Sequence, residues 1–298
     1  MYKLLFPVIT LLIFMVHCGS IKMMQKAKLP KFDIEAHRGG RGLMPENTIS
    51  AMLHSVDLGV STLELDVHIS GDKQVIVAHD SHINSKFSLH DYKEIDKKAA
   101  EGFVFYNMPY SEIRKFDVGS RFHEDFPRQQ KQAAQIPLLA ALIDSVQQHI
   151  KATGKQQVFY NIETKSVPNG DNKVHPEPEE FVSLVMEVVK QKDILPWLII
   201  QSFDPRTLEQ VHAHYPNVRT SLLTSSGSLE DNLKKLSFKP TIYSPNMKLV
   251  TSELVKDSHK LGLKVIPWTV NDEQEISRLK LLGVDGIITD YPNLTSKN

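Results

Sequence analysis

From about residue 32 to residue 292, short β-rich runs alternate with longer stretches whose apolar residues recur every three or four positions. The short runs are "FDIEAH", "TLELDVH", "QQVFYNIE", "WLIIQSF", "VRTSLL", "TIYSP", "KVIPWTV" and "DGIITD". A helical pattern near 46–58 separates the first two, and "IPLLAALIDSVQQHI", "EPEEFVSLVMEVVKQ" and "SELVKDSHKLG" fall between or beside later ones, several closed by glycine. Strands separated by helices predict a parallel sheet with crossover connections. Eight of them predict a closed (β/α)8 barrel, for which about 250 residues is usual.

A ninth run, "QVIVAH", does not fit this rhythm. It follows "TLELDVHIS" after only "GDK", too short for a parallel crossover, so it is expected to fold back as a hairpin arm on the second strand. A two-residue turn at Asp72–Lys73 sets His79 opposite Asp66, and one at Gly71–Asp72 sets it opposite Glu64. Either register places His79 on the face that carries both carboxylates, whereas a three-residue turn with a bulge does not. The stretch from Ser81 to Gln135 then interrupts the barrel pattern. Its mixed charge, aromatics and proline suggest a small ordered insertion above the barrel mouth.

The first residues, "MYKLLFPVITLLIFMVHCGS", hold Lys3 and an apolar run of about a dozen residues, short for a bilayer span and shaped like an export signal. Cys18 is the single cysteine, so no intrachain disulfide can form. Its position suggests a lipid-anchored bacterial lipoprotein facing the periplasm or the cell surface, although His17 stands where a small residue is expected. The expected organisation is therefore a signal over 1–18, a polar tether over 19–30 and a barrel over 31–298. Formal charges balance to zero, which gives no electrostatic reason to expect a nucleic-acid partner.

Polar residues gather where barrel sites are built, at the C-terminal ends of the predicted strands. The first strand ends in His37 and Arg38, the second carries Glu64 and Asp66, the third Glu163 and Lys165, and the seventh Trp268. By alternation Glu64 and Asp66 point into the barrel while Leu63, Leu65 and Val67 pack against helices. With Glu163 on the neighbouring strand, three oxygen ligands converge, and a hard divalent cation, calcium or magnesium, suits them better than zinc. Three carboxylates and a divalent cation leave one negative charge, and Arg38 and Lys165 add two positive ones. A phosphodiester brings that sum to zero, with Arg38 suited to grip its oxygens and the two histidines able to serve as acid and base.

Taken together, "AHRGGRGLMPENT", "LELDV" with "VIVAHD", "NIETK", "QSFD", "PWTVND" and "GVDGIITDYP" resemble, in order, the motifs of the glycerophosphodiester phosphodiesterase family. The resemblance spans essentially the whole chain after the tether. It implies a distorted TIM barrel that hydrolyses glycerophosphodiesters to glycerol phosphate and an alcohol, with a glycerol hydroxyl as internal nucleophile. It further implies His37 and His79 as the acid-base pair, and Glu64, Asp66 and Glu163 as metal ligands. Arg38 and Lys165 fall at the phosphate, Phe203 and Trp268 along the glycerol, and Glu46 and Asn47 behind them as braces of the first loop.

Two positions depart from that pattern. The segment after "HD" lacks the family's usual arginine and threonine, which leaves the leaving-group pocket open, and Glu35 stands where an apolar residue is usual. Alternation puts Glu35 on the inward face below the site, where a structural carboxylate beside Asn161 is expected. Two other readings compete: a lysophospholipase D-type enzyme, favoured by an apolar mouth in the insertion, and a phosphate-ester-binding surface lipoprotein without catalysis.

Overall fold

The structure, a computed structural model, describes residues 26–295; the expected signal, including Cys18, lies outside the described residues. Twelve strands are present among the described residues: β1 (Asp33–Ala36), β2 (Thr62–Ile69), β3 (Val75–Val77), β4 (Leu89–His90), β5 (Lys93–Glu94), β6 (Phe116–Asp117), β7 (Phe159–Thr164), β8 (Leu198–Ser202), β9 (Arg219–Thr224), β10 (Ile242–Pro245), β11 (Lys264–Val265) and β12 (Gly286–Thr289). Eight form one parallel sheet in the order β11-β10-β9-β8-β7-β2-β1-β12. They are the eight expected barrel strands.

The barrel is nearly closed rather than fully laddered. β11 stops after two residues because Pro267 offers no N–H, and the seam to β12 is carried by single bonds such as Val270 N–H to Ile288 C=O at 2.9 Å. Outward residues Leu63, Leu65 and Val67 of β2 join the main core with residues of α1 (Ile49–Leu58), α2 (Leu139–Thr153) and α3 (Pro178–Gln191). Helix α1 starts later than its apolar pattern suggests. Thr48 is its N-cap, accepting from the Ala51 N–H at 3.2 Å, and Asn47 sits at φ 56°, outside the helix. Gly59 ends α1 at φ 80°, the left-handed conformation that favours glycine.

The ninth run is the expected hairpin arm: β3 pairs antiparallel with β2. Its register differs from both expected ones. Val67 faces Val77 and Ile69 faces Val75, so Gly71, Asp72 and Lys73 form a three-residue turn, with Lys73 at φ 60°. Ser70 and Asp72 fix that turn, the Ser70 hydroxyl donating to Asp72 Oδ1 at 2.5 Å and the Tyr110 N–H reaching the same oxygen at 3.0 Å. Extrapolated, this ladder opposes His79 to Leu65, on the wrong face.

Residues 81–135 form the expected insertion. β5, β4 and β6 make a small antiparallel sheet, and Ile83, Phe105, Ile113, Phe116 and Val118 bury one face of it against Ile76 and Ala78 of the hairpin arm. At the opposite, N-terminal end of the barrel, the last residues of the expected tether pack on the protein. The Ala27 N–H donates to the Pro196 carbonyl at 3.1 Å, and Leu29 covers Ile199, Ile242, Ile266 and Ile288. Among the described residues no helix is long and apolar enough to cross a membrane.

Candidate active site

Register alone brings the carboxylates together. In the β2–β7 ladder Glu64 lies beside Asn161 and Asp66 beside Glu163, and Glu163 in turn neighbours Gln201 on β8. Glu64, Asp66 and Glu163 are buried, and one oxygen of each lies within 4.8 Å of the others.

Each carboxylate is aimed by a fixed donor. Glu64 accepts the Arg38 backbone N–H at 2.8 Å and Gln201 Nε2–H at 2.6 Å. Asp66 accepts Asn47 Nδ2–H at 2.9 Å, and Glu163 accepts Lys165 Nζ at 2.8 Å. Asp66 Oδ1 has no hydrogen-bond partner although it is fully buried. Burial and mutual repulsion push Glu64 and Glu163 above the usual carboxylate range. Burial opposes ionisation of Asp66 too, but His79, Lys165 and Arg38 outweigh it and hold this carboxyl low. Three buried carboxylates with converging oxygens, and an Asp66 Oδ1 that takes no hydrogen bond and meets Lys165 Nζ only at 3.7 Å, fit a hard divalent cation.

Arg38 follows β1 in a left-handed conformation, φ 50° and ψ 35°, which turns its N–H onto Glu64. Its guanidinium donates to Glu46 Oε1 at 3.0 Å and lies 3.5 Å from Asp66. Glu46 and Asn47 thus contact the site residues, and neither caps α1. The Asn47 N–H also donates to the Arg38 carbonyl at 2.9 Å, which ties "PENT" to the first loop.

A cavity of about 140 Å³ opens over these groups. His37, Arg38, Glu64, His79, Glu163, Lys165, Phe203 and Trp268 all line it. Phe203 and Trp268 meet edge to face at 5.3 Å, and Trp268 Nε1–H is anchored on the Ser244 carbonyl at 3.0 Å. Lys165 stays cationic, since Glu163 and Asp66 outweigh the cost of its burial.

His79 reaches this cavity despite the register of its arm. The ladder ends at Ala78, whose N–H donates to the Asp66 carbonyl at 3.0 Å, because the Asp66 N–H turns to Asn47 Oδ1 at 3.3 Å. The chain then leaves the sheet, and the side chain of the next residue is freed from alternation. The expected register is therefore wrong, while the expected placement of His79 among the site residues is observed.

Sequence reasoning missed the partners of the histidines. His37 Nδ1–H donates to Asp290 Oδ1 at 2.5 Å, and Asp290 also accepts Arg41 Nε–H at 2.8 Å and Asn271 Nδ2–H at 2.7 Å. Burial pushes His37 below its ordinary value, against the raising effect of Asp290. His79 Nδ1–H donates to Asp80 Oδ1 at 2.8 Å, and Asn84 donates to the other oxygen at 2.7 Å. Both rings thus leave Nε2 for the cavity. The available signal was position: Asp290 directly follows the last barrel strand, at its C-terminal end.

Below the site, Asn161 Nδ2–H donates to Glu35 Oε2 at 2.6 Å and to Gln201 Oε1 at 3.0 Å. Glu35 is the expected buried partner of Asn161, and this polar column reaches Glu64 through Gln201.

Comparison with known proteins agrees with this geometry. Residues 37–294 match the model of the glycerophosphoryl diester phosphodiesterase family. A glycerophosphodiester phosphodiesterase of Caldanaerobacter subterraneus subsp. tengcongensis is 30% identical over 257 residues, covering 86% of this chain and 93% of the relative. A solved structure from Silicibacter pomeroyi superposes with a TM-score of 0.79 at 30% identity, covering 91% of this chain and 93% of that one. An Oleispira antarctica phosphodiesterase in complex with the product sn-glycerol-3-phosphate superposes with a TM-score of 0.69 at 25% identity, over 89% of this chain and 94% of that one. The chain belongs to the glycerophosphoryl diester phosphodiesterase family.

Proposed function

We propose that the protein hydrolyses glycerophosphodiesters to glycerol phosphate and an alcohol, with His37 and His79 as its acid-base pair. One observation carries this reading: two histidines with Nδ1 tied to carboxylates line one cavity with Arg38, Lys165 and two members, Glu64 and Glu163, of a buried three-carboxylate cluster. The Oleispira antarctica relative, solved with sn-glycerol-3-phosphate, supports the glycerol phosphate half of the substrate.

Glu64, Asp66 and Glu163 would hold a calcium or magnesium ion, which when bound neutralises charge on a phosphoryl oxygen. Arg38 and Lys165 supply the remaining positive charge against the phosphate. Phe203 and Trp268 pack on the glycerol carbons and hold its hydroxyl near phosphorus, so that the attack is intramolecular. One histidine takes the proton of that hydroxyl and the other protonates the departing alkoxide. Water then opens the cyclic phosphate with the roles reversed.

Purified protein incubated with glycerophosphocholine should release glycerol phosphate and choline. Activity should stop with a chelator and return with calcium or magnesium. Full turnover after complete stripping would remove the cation from the reading, and release of phosphocholine would give the wrong bond. The same reading places the enzyme outside the cytoplasmic membrane, tethered through Cys18. Its support is the apolar run that ends at this cysteine, and an unmodified mass for the mature N-terminal peptide would refute it.

A further inference from the structure

His68 is a buried histidine that the reaction as described does not use. It follows Glu64 and Asp66 on the same face of β2, and it is 3% exposed. Its Nε2 lies 3.1 Å from the backbone carbonyl oxygen of His79. A carbonyl only accepts, so Nε2 carries the hydrogen and donates it to this oxygen. Its Nδ1 is buried with no hydrogen-bond partner.

This contact falls where the hairpin stops holding the chain. The β2–β3 ladder makes its last bond at the Ala78 N–H, and continued pairing would set His79 opposite Leu65, away from the cavity. Instead the chain turns off the sheet, and the His68 ring takes up the His79 carbonyl at that point. Asp80, the next residue, then fixes the His79 ring from the other side through Nδ1. Phe105 of the insertion lies against the His68 ring, with centroids 6.1 Å apart, and backs it from behind.

We infer that His68 is a positioning residue for His79: its Nε2–H holds the backbone from which the His79 imidazole reaches the substrate. The inference rests on the acid-base role of His79 proposed above. It requires a donor at this position and nothing of the unpartnered Nδ1. Glutamine offers such a donor at a similar reach, and methionine has nearly the shape of glutamine without one.

The test compares His68→Gln and His68→Met for kcat and KM on glycerophosphocholine, with calcium affinity measured by calorimetry and His79→Ala as reference. His68→Gln should keep kcat within about threefold of wild type, whereas His68→Met should lose about tenfold or more, since displacement of a catalytic group by about 1 Å costs up to a hundredfold. KM and calcium affinity should stay close to wild type in both, because the loss falls on proton transfer. Equal kcat in the two variants, whether high or low, would overturn the inference, since the donor would then not matter. So would a loss of calcium affinity parallel to the loss of kcat, which would place the effect on Asp66. If His79→Ala itself turns over normally, the acid-base reading fails and this inference with it. If His79→Ala is inactive while His68→Met is unimpaired, only the role of His68 fails.

Discussion

His37 and His79 line the same cavity and each ties its Nδ1 to a carboxylate, but those carboxylates are held by different parts of the molecule. Asp290 is 253 residues from His37, stands at the end of the last barrel strand, and is itself held by Arg41 and Asn271. Asp80 is the residue next to His79 and is held by Asn84. Asp290 is buried, whereas the Asp80 side chain keeps about a third of its surface. The first histidine is positioned by closure of the barrel, the second by a local turn where the hairpin arm meets the insertion.

Substituting the two partner carboxylates is the sharpest way to break that comparison. Asp290→Asn removes a buried, charged partner that sets both tautomer and orientation, so turnover should fall about ten-thousandfold, the loss seen when a catalytic histidine's aspartate becomes asparagine. Asp80→Asn, in a wetter setting, should lose only about tenfold. Equal losses would show that the two supports do not differ in kind. The pH profile of Asp290→Asn adds a sign. Burial already pushes His37 below its ordinary value and Asp290 opposes this. Removing the charge should therefore move the limb due to His37 to lower pH, and a shift upward would contradict the assignment.

The carboxylate cluster between the histidines should respond differently from either. Glu64 and Glu163 are held above the usual carboxylate range, chiefly by burial. Their contribution to stability is present below their unfolded values and is lost as pH rises toward their folded values. A cation at about a hundred times its Kd should add about 3 kcal/mol of stability, read as a rise in Tm. Glu163→Gln should abolish that rise and leave the cation-free protein at least as stable as wild type. A full calcium-dependent rise in this variant would remove Glu163 from the ligand set.

The smallest effect is expected below the site. Glu35 is fully buried, and burial followed by the charge of Asp33 raises it well above the carboxylate range. By the same sign it favours folding below its unfolded value and costs stability as pH rises. Glu35→Gln keeps an acceptor for Asn161 and should stabilise the protein by about 1 kcal/mol at pH 8, measured by denaturant titration. Destabilisation would mean that the charge itself is needed there.

What could be read from the sequence follows the same division. Glu64, Asp66 and Glu163 were legible because alternation on adjacent parallel strands fixes them whatever the loops do. Glu35 beside Asn161 was legible for the same reason. The hairpin itself was legible from the three residues that join its strands. Its register was not, because the turn depends on Lys73 adopting a left-handed conformation and on Tyr110, which bonds Asp72 from 38 residues away. Asp290 was not assigned because its role exists only once β12 closes against β1. His68 read as one more residue of a buried strand, since its function lies in a backbone carbonyl that only the altered register brings within reach.

The central claim is that two separately supported histidines share one reaction above a common cation site. The most direct measurement is the turnover of glycerophosphocholine by His37→Ala and by His79→Ala, each with calcium saturating and calcium affinity measured in the same protein. Each variant should lose about a hundredfold or more in kcat while binding calcium as wild type does. Turnover within about tenfold of wild type in either variant, or a loss explained by weaker calcium binding, would contradict it.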